Sequence, residues 1–311
     1  MSTLPKPLSE KNIARMLAGF KPETVDLLHD FFAACSNLYG VVLLDDAWRI
    51  FKLDHSGVLK RDFLAFSSIA RREDLPYYIL EVDELYPDNK RRIEDKFIVN
   101  KHLVTSGYYR FERVYELVER QGDKQFWIPD DVLRFKDMDG VEANESWKDF
   151  CSVIKFIKSS KGLPLCKYKH VSKMDKTREV LYTTEKQKAE YKADLARPVS
   201  ERITERLKLW MQLGIPFYQY FASLMEEHNV VPSEKELRKM IDILTDANNT
   251  SNLWVNRGWA PTNMRETFYD PSATPVLTFG HGIKSMIAKG EMDKDEIISK
   301  LDELGIKYSW D

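Results

Sequence analysis

The sequence predicts a mainly α (α+β) protein in three parts. Helical periodicity dominates both ends of the chain, whereas a period-two pattern typical of strands is confined to residues 77–104. A shift in composition follows, because residues 155–195 contain eleven Lys or Arg against five Asp or Glu. We therefore expect an N-terminal lobe over 1–140, a helix and basic charged connector over 141–199, and a C-terminal helical lobe over 200–311.

Three helices open the N-terminal lobe. The first, residues 21–40, has Pro22 in its first turn and Gly40 as its C-terminal stop. The second begins after Asp45, which can act as N-cap, and the third covers roughly residues 59–72. In each helix the large apolar residues fall on one face, as a helix packed on a core requires.

The pattern then changes to that of a β-hairpin. Residues 77–86 and 97–104 read as two strands, and the charged segment "PDNKRRIEDK" separates them. Three helices followed by a two-stranded hairpin is the order of a winged helix-turn-helix domain. We therefore predict a winged-helix-like N-terminal lobe with a β-hairpin, closed by a fourth helix over about residues 108–120.

The C-terminal lobe is predicted to be helical. Ser233 and Glu236 have the spacing of a capping box, in which each side chain satisfies a free N–H of the other residue. The helix that they start should end near Ala247. Asp293 and Glu296 repeat the device near the end of the chain, where they predict a further helix.

Composition excludes several classes of protein. A net charge of −2 argues against a chain that coats nucleic acid over its whole surface, so such binding requires a local patch. The three cysteines, Cys35, Cys151 and Cys166, are odd in number and widely spaced, which fits a reducing compartment. No apolar run reaches the length of a membrane span or of a signal peptide. We expect a soluble cytoplasmic protein without a membrane partner.

The third helix and the hairpin turn are the first candidate nucleic-acid site. A winged helix places its third helix in the major groove and its hairpin against an adjacent phosphate track. Cations in both places would meet a polyanion at two points. They are Lys60, Arg61, Arg71 and Arg72 on or after the helix, and Lys90, Arg91 and Arg92 in the turn. Acidic neighbours weaken their field, and winged helices also bind proteins, so DNA, RNA and a protein all remain candidate partners.

The basic connector is the second candidate. Its cations and tyrosines alternate along the chain: Lys167, Tyr168, Lys169, Lys173, Lys176, Arg178, Tyr182 and Tyr191. Such a mixture can follow a phosphate backbone and stack on bases. The alternative is a mobile connector or a solvated linker helix, whose tyrosines pack against either lobe.

Catalytic and metal-binding signals are weak. The sequence has no G-x-S-x-G, no Walker loop and no G-x-G-x-x-G, so it predicts neither a nucleophile nor a nucleotide cofactor. The six histidines lack zinc-ligand spacing, and we expect no metal. His281, between two glycines, is the one histidine in an open-loop context, and a cap or turn role is the simpler interpretation.

The stretch "NNTSNLWVNRGWAPTNMRE", residues 248–266, concentrates aromatic and basic side chains. Its candidate residues for an interaction surface or a structural corner are Trp254, Arg257, Trp259 and Arg265. Large aromatics usually anchor the core of a small helical lobe, and the arginines can pair with acids or bind an anion. We favour a corner that locks the C-terminal lobe.

Two segments, "LYGVVLLDDAWRIF…DFLAF…YYILEVDELY" within residues 38–86 and the stretch 248–266, carry a family resemblance. They resemble a group of poorly characterised bacterial proteins that often end in the SEC-C zinc motif. Together the segments cover about a quarter of the chain. No cysteine follows Cys166, so the zinc motif itself is missing and zinc binding does not carry over. The resemblance implies a bacterial or phage-borne cytoplasmic protein and implies no activity.

These observations favour a non-enzymatic regulatory or adaptor protein. Its N-terminal lobe would bind nucleic acid or a nucleic-acid-associated partner. The alternative is a protein–protein interaction module, a phage- or plasmid-borne factor acting through its aromatic-rich C-terminal lobe. An enzyme fits the sequence less well, since no catalytic constellation is present. The sequence does not predict the partner, the target sequence or the oligomeric state.

Overall fold

The computed structural model of the chain describes residues 4, 6–86, 95–105, 110–179, 182, 184–268, 276–278, 286, 287, 290, 292–304 and 306–309. Across these residues the fold is mainly helical, which confirms the predicted class. The helices are α1 Glu10–Leu17, α2 Pro22–Tyr39, α3 Leu44–Asp54, α4 Lys60–Ala70, α5 Val82–Leu85, α6 Glu112–Gln121, α7 Glu145–Ile154, α8 Lys173–Glu179, α9 Glu185–Leu195, α10 Val199–Gln212, α11 Phe217–Glu227, α12 Glu234–Thr250, α13 Pro261–Phe268 and α14 Lys294–Glu303. None of them combines the length and the apolar character needed to cross a bilayer.

A small antiparallel sheet lies among the first helices. Its strands are β1 Val41–Leu43, β2 Tyr77–Leu80 and β3 Phe97–Asn100, in the order β1-β3-β2. The two predicted hairpin strands therefore do pair, with Leu80 opposite Phe97. Strand β1 was not predicted, because three residues are too few to show a period-two pattern.

The first hairpin strand is shorter than predicted. It ends at Leu80, and the residues that follow form the short helix α5. The cause is a capping box in which Glu81 and Glu84 each bond the backbone N–H of the other. The connecting segment 87–94, with the predicted turn cations, lies outside the described residues.

Phenylalanine rings build the core beneath this sheet. Phe31 and Phe32 of α2 meet Phe51 of α3 and Phe63 and Phe66 of α4, at centroid distances between 4.9 and 6.2 Å. Edge-to-face geometry dominates these contacts, as the ring quadrupoles favour. Helix α1 packs against α4, so part of the helix that was predicted to enter a groove is covered.

The basic connector is anchored rather than mobile in its first part. Ile157, Leu165 and Tyr168 are buried in a second core, which α7, α10, α11 and α12 also build. The Leu165 N–H donates to the Ile157 carbonyl at 2.9 Å, and the Val199 N–H donates to the Tyr168 carbonyl at 2.8 Å. Apolar side chains insert between the lysines here, so this part of the connector is not a solvated helix. Further along the chain the connector does form helices, α8 and α9, and Tyr168 and Tyr191 are buried, as the alternative of a linker helix with packed tyrosines predicts.

The chain divides into two compact units, residues 1–263 and residues 264–311. The boundaries predicted after residues 140 and 199 do not separate compact units. The reason is a third core shared by both predicted lobes, in which Leu117 of α6 packs with Leu213 and Trp254. The predicted C-terminal lobe thus contributes most of its helices to the first unit.

The second unit is small. Strands β4 Val276–Thr278 and β5 Lys307–Ser309 pair in parallel, and helix α14 lies between them in the sequence. Asp293 caps α14 by accepting bonds from the N–H groups of Asp295 and Glu296. The predicted helix start at Asp293 is confirmed, as is the capping box of Ser233 and Glu236 that begins α12.

Candidate functional site

The predicted cations on α4 are partly neutralised. Lys60 Nζ lies 2.6 Å from Asp45 Oδ1, and Arg61 Nε lies 3.4 Å from Asp62 Oδ1. The Arg61 side chain is otherwise exposed. The turn cations Lys90, Arg91 and Arg92 lie outside the described residues.

Arg71 faces the interior of the lobe. Its two terminal nitrogens donate to the Glu84 carboxylate at 2.6 and 2.7 Å, and one of them also donates to the Ile79 carbonyl at 2.7 Å. This bidentate pair ties the end of α4 to β2 and α5, so the guanidinium is engaged within the fold. Arg72, the next residue, is exposed.

Trp254 joins three helices. Its backbone N–H donates to Gln212 Oε1 of α10, and its indole Nε1 donates to the Asn37 carbonyl of α2, both at 2.7 Å. The amide of Gln121, at the end of α6, donates to the carbonyls of Trp254 and Tyr39 at 2.8 and 2.9 Å. The side chain is only 2% exposed, so it offers no binding surface.

The residues after Trp254 hold the loop that follows α6. Arg257 has a left-handed backbone with φ of 49°, and it donates to the Gly122 carbonyl at 2.5 Å. Its guanidinium lies 4.6 Å from the centre of the Phe126 ring. Trp259 Nε1 donates to the Gln125 carbonyl at 3.0 Å. Arg265 belongs to the second unit, where it is exposed on α13.

A charged cleft that the sequence did not predict opens in the first unit. It is a cavity of about 790 Å³, which lies within the range of about 300–1,000 Å³ typical of ligand pockets. Helices α6, α7, α8, α9 and α10 contribute to its walls. The cations that line it are Arg113, Lys148, Lys155, Arg178, Arg197, Arg202, Arg206 and Lys208. The carboxylates are Asp139, Glu142, Asp175, Asp194, Glu201 and Glu205.

A buried ion pair sits at one end of this cleft. Asp175 is 1% exposed and Arg202 is 4% exposed, and Asp175 Oδ1 lies 2.7 Å from a terminal nitrogen of Arg202. Arg202 also donates to the His170 carbonyl at 2.6 Å. Burial alone would raise the pKa of Asp175, but the bonds from Arg202 and from Ser172 outweigh it and lower that pKa.

A second pair lies beside the first. Arg206 donates to Glu227 at 2.8 Å, and the other Glu227 oxygen accepts from the Ser172 hydroxyl at the same distance. Arg178 stands 3.5 Å from Glu227 and 3.8 Å from Asp175, so it has no short ion pair with either carboxylate. Its side chain is 36% exposed, which leaves its donors accessible from the cleft.

Positive charge exceeds negative charge at this end. We define the arginine cluster as Arg113, Arg178, Arg202 and Arg206 together with the carboxylates of Asp175 and Glu227. These four cations and two anions leave an excess of two positive charges; Asp194 also lies 4.0 Å from Arg202 Nε, but it pairs more closely with Arg197, at 2.9 Å. Burial lowers the pKa of Arg113 and of Arg206, and the charge of Arg178 acts in the same direction on both. The guanidinium groups of the cluster therefore repel each other.

A second group of charges in the same cleft is electrostatically different, and Asp194, 4.0 Å from Arg202 Nε, lies between the two groups. Arg197 contacts three carboxylates, those of Asp194, Glu201 and Glu205, at 2.5 to 3.1 Å. Lys208 lies 2.8 Å from Asp139 and also pairs with Glu142. Negative charge therefore exceeds positive charge around these two residues, and an anion would be repelled there.

His228 lies next to the arginine cluster. It is fully buried, and neither of its ring nitrogens has a hydrogen-bond partner among the described residues. Burial lowers its pKa to about 4, and the charges of Arg202 and Arg206 contribute in the same direction. The ring is therefore neutral near pH 7 and adds no charge to the cluster.

An exposed row of lysines leads along the chain to the cluster. Residues 155–178 contain eight Lys or Arg and a single acidic residue, Asp175. We define the lysine row as the four exposed lysines that come last before Arg178, which are Lys167, Lys169, Lys173 and Lys176. No ion pair holds any of these four within the part of the chain that the structure describes. The positive charge of this segment is therefore not neutralised by ion pairs.

The chemistry available in the cleft is recognition of anions. The described residues include no group of three His, Cys, Asp or Glu side chains able to hold a metal ion. Burial raises the pKa of the Cys151 thiol, which keeps it in the poorly nucleophilic protonated form. Guanidinium groups, by contrast, donate in a fork that matches the oxygens of a phosphate or carboxylate.

Sequence reasoning reached only part of this site. The connector cations were singled out, but Arg113, Arg202 and Arg206 were not. The sequence does contain a signal for two of them. Arg202 and Arg206 are four residues apart on α10, and they border the buried Ile203 and Leu207. Charged side chains that border an apolar stripe at helical spacing are placed where a core meets a cleft.

His281, the histidine considered from the sequence, lies outside the described residues.

Comparison with known proteins gives no relative from which a role could be transferred. No family model matches this chain, and no curated protein or solved structure matches it.

Proposed function

We propose that the chain is a non-enzymatic regulatory or adaptor protein that binds nucleic acid, DNA or RNA, through the basic connector and the arginine cluster. The observation that carries the proposal is the unneutralised lysine row of residues 167–176, which continues along the chain into Arg178. Phosphate groups of nucleic acids are bound mainly by such Lys and Arg side chains.

The anchoring of the connector supports this role. Tyr168 is buried between the exposed Lys167 and Lys169, so the two lysines are held on a fixed backbone. A fixed row of cations loses less conformational entropy on binding than a mobile tail would. The predicted site on α4 is less favourable, because Lys60 and Arg71 are engaged with carboxylates of the same lobe.

For the N-terminal lobe we propose a winged-helix-like arrangement. The element order α2-β1-α3-α4-β2-α5-β3 and the antiparallel sheet order β1-β3-β2 support it. Because α1 packs on α4, we assign this lobe to contact with a nucleic-acid-associated protein rather than to groove reading. Arg61 and Arg72 remain the cations through which it could touch phosphate.

Fluorescence anisotropy with labelled duplex DNA, single-stranded DNA and single-stranded RNA tests the proposal. Two double variants have the same change in charge: Lys169→Glu with Lys173→Glu in the connector, and Arg61→Glu with Arg72→Glu at α4. We expect the connector variant to weaken binding by more than tenfold at low salt. The slope of log affinity against log salt concentration should fall by about two, since two phosphate contacts are lost.

The two double variants distinguish binding at the connector from binding at α4. Loss of affinity in the α4 variant, with the connector variant unaffected, would move the site to α4 and contradict the role of the connector. Absence of binding to all three nucleic acids at low salt, where phosphate contacts are strongest, would contradict nucleic-acid binding altogether.

A second candidate function is a protein-interaction module. Trp254 is buried, but Tyr218 and Tyr220 on α11 are exposed, and tyrosine is enriched where proteins bind each other. The double change Tyr218→Ser with Tyr220→Ser should then abolish retention of a protein partner while nucleic-acid affinity stays unchanged. Quantitative co-purification with the wild-type chain and with the variant measures this, and equal retention by both argues against these tyrosines.

A further inference from the structure

We propose that the arginine cluster binds the terminal phosphate monoester of a nucleic-acid strand, while the lysine row contacts the phosphodiesters that follow. This inference rests on the proposed nucleic-acid binding and names the group that occupies the cleft. Three properties of the cluster lead to it: its charge, its recessed position and the donors left unused by its ion pairs.

The excess charge of the cluster matches a dianion. Its four guanidinium groups face the carboxylates of Asp175 and Glu227, which leaves two positive charges. Asp194 also lies 4.0 Å from Arg202, but it is 41% exposed and is paired with Arg197 at 2.9 Å. A phosphate monoester carries a charge of about −1.5 to −2 at pH 7, whereas a phosphodiester carries one negative charge. Glu116 also acts on Arg113, but it is solvent-exposed on α6 and therefore screened.

The cluster is recessed rather than displayed on a flat surface. Arg202 is almost fully buried and Arg206 is largely buried, and both point their guanidinium groups to the wall of the cavity. An internal phosphodiester has a chain leaving on each side, and both chains would have to enter the cleft. A strand end has one, so it can place its phosphate at the cluster while the strand leaves along the connector.

The ion pairs hold two of the four arginines in place and leave the other two with unused donors. Asp175 fixes Arg202, and Glu227 fixes Arg206, so these two form a rigid charged wall. Among the described residues the nearest carboxylate to Arg178 is that of Glu227, at 3.5 Å, and Arg113 donates one bond to the His102 carbonyl at 3.1 Å. Arg178 and Arg113 therefore keep donors for the oxygens of an incoming phosphate.

The same cleft offers a matched control for a test. Arg197 is exposed to nearly the same degree as Arg178, 34% against 36%, but three carboxylates surround it. Arg178→Gln and Arg197→Gln thus remove one guanidinium each from the same cavity. Only the first removes a donor from the region of excess positive charge.

The experiment compares two single strands of identical sequence, labelled at the 3′ end, one with a 5′-phosphate and one with a 5′-hydroxyl. Fluorescence anisotropy measures the affinity of the full chain for each. We expect the wild-type chain and Arg197→Gln to prefer the phosphorylated strand by at least tenfold. Arg178→Gln should bring that ratio close to one, because it weakens binding of the phosphorylated strand much more than binding of the hydroxyl strand.

Thermal melting of each variant shows whether the fold is retained. If Arg178→Gln lowers the melting temperature strongly, Arg113→Gln serves as the second variant with the same expected ratio. A 5′-phosphate blocked as its methyl ester adds a further arm. It carries one negative charge, as a diester does, so it should bind more weakly than the strand with the free 5′-phosphate.

Equal affinity of the wild-type chain for the phosphorylated and hydroxyl strands would overturn the inference and leave nucleic-acid binding intact. Binding of neither strand would overturn the proposed function as well. A nucleoside 5′-monophosphate, added as competitor, separates a strand end from a small free ligand. Displacement of the phosphorylated strand at a lower concentration of monophosphate than of unlabelled strand would assign the cluster to a free nucleotide, against the inference.

Discussion

Replacement of Gln121 by methionine should destabilise the first unit strongly, although the two side chains have similar volumes. Gln121 is 4% exposed at the end of α6. Its amide nitrogen donates to the carbonyl of Tyr39 at 2.9 Å and to that of Trp254 at 2.8 Å. One side chain therefore joins α2, α6 and the stretch that carries the two tryptophans.

The magnitude follows from the two carbonyls. A buried acceptor left without its donor costs about 1–3 kcal/mol, and two acceptors are affected. Methionine leaves little new cavity, so packing adds a small amount only. We expect the free energy of unfolding to fall by about 2–5 kcal/mol. For a unit of this size that corresponds to a melting temperature lower by roughly 5–15 °C.

Circular dichroism at 222 nm, recorded during heating, measures this change. Gln125→Met is the control, because the Gln125 side chain is exposed four residues further along the same segment. Its melting temperature should change by no more than about 2 °C, as is usual for surface substitutions. Equal shifts in the two variants would refute the argument that the amide of Gln121 ties these elements together.

Three further predictions concern single residues. Gly40→Ala should lower the free energy of unfolding by about 2–4 kcal/mol in urea titrations, because Gly40 has φ of 71° and a Cβ there would lie 2.6 Å from the Trp254 ring. Asp175→Asn should cost about 3–5 kcal/mol in the same assay, since Arg202 would lose its principal buried counter-ion. His228 should make the chain acid-sensitive. Its folded pKa of about 4 lies below the usual 6.5, so the unfolded chain takes up this proton first, and stability falls between about pH 6.5 and pH 4. The loss is about 3 kcal/mol, and His228→Gln should show a smaller loss across that window in urea titrations at pH 7 and pH 4.5. An unchanged pH dependence in this variant would contradict the role of His228.

The sequence predicted well those elements whose signals lie within a short segment. The capping box of Ser233 and Glu236 fixes the start of α12, because both partners lie within one helical turn. The pairing of the strands around residues 77–80 and 97–100 was also predicted, since alternation and a polar connection are visible locally. The same strand was predicted too long, because a capping box of two glutamates inside an acidic segment was not distinguished from surface charge.

The division of the chain was not predicted, because it depends on contacts between distant residues. Trp254 bonds Asn37, which is 217 residues away in sequence. The sequence marks Trp254 as an anchor but does not show what it anchors. A core shared between Leu117, Leu213 and Trp254 merges two lobes that composition alone separates. A shift in composition marks the surface of the connector and says nothing of the apolar side chains that hold it.

The arginine cluster shows why a charged site of this kind cannot be predicted from the composition of short segments. Its carboxylates come from α8 and α11, whereas two of its arginines come from α10, so no short segment contains the charge excess. Because α10 also builds the second core through Ile203 and Leu207, packing of that core fixes where Arg202 and Arg206 point. The unfavourable crowding of like charges is thus imposed by hydrophobic packing. An anion bound at the cluster would relieve that repulsion, and it should therefore stabilise the folded unit against heat, with a gain that rises with the logarithm of its concentration relative to its Kd.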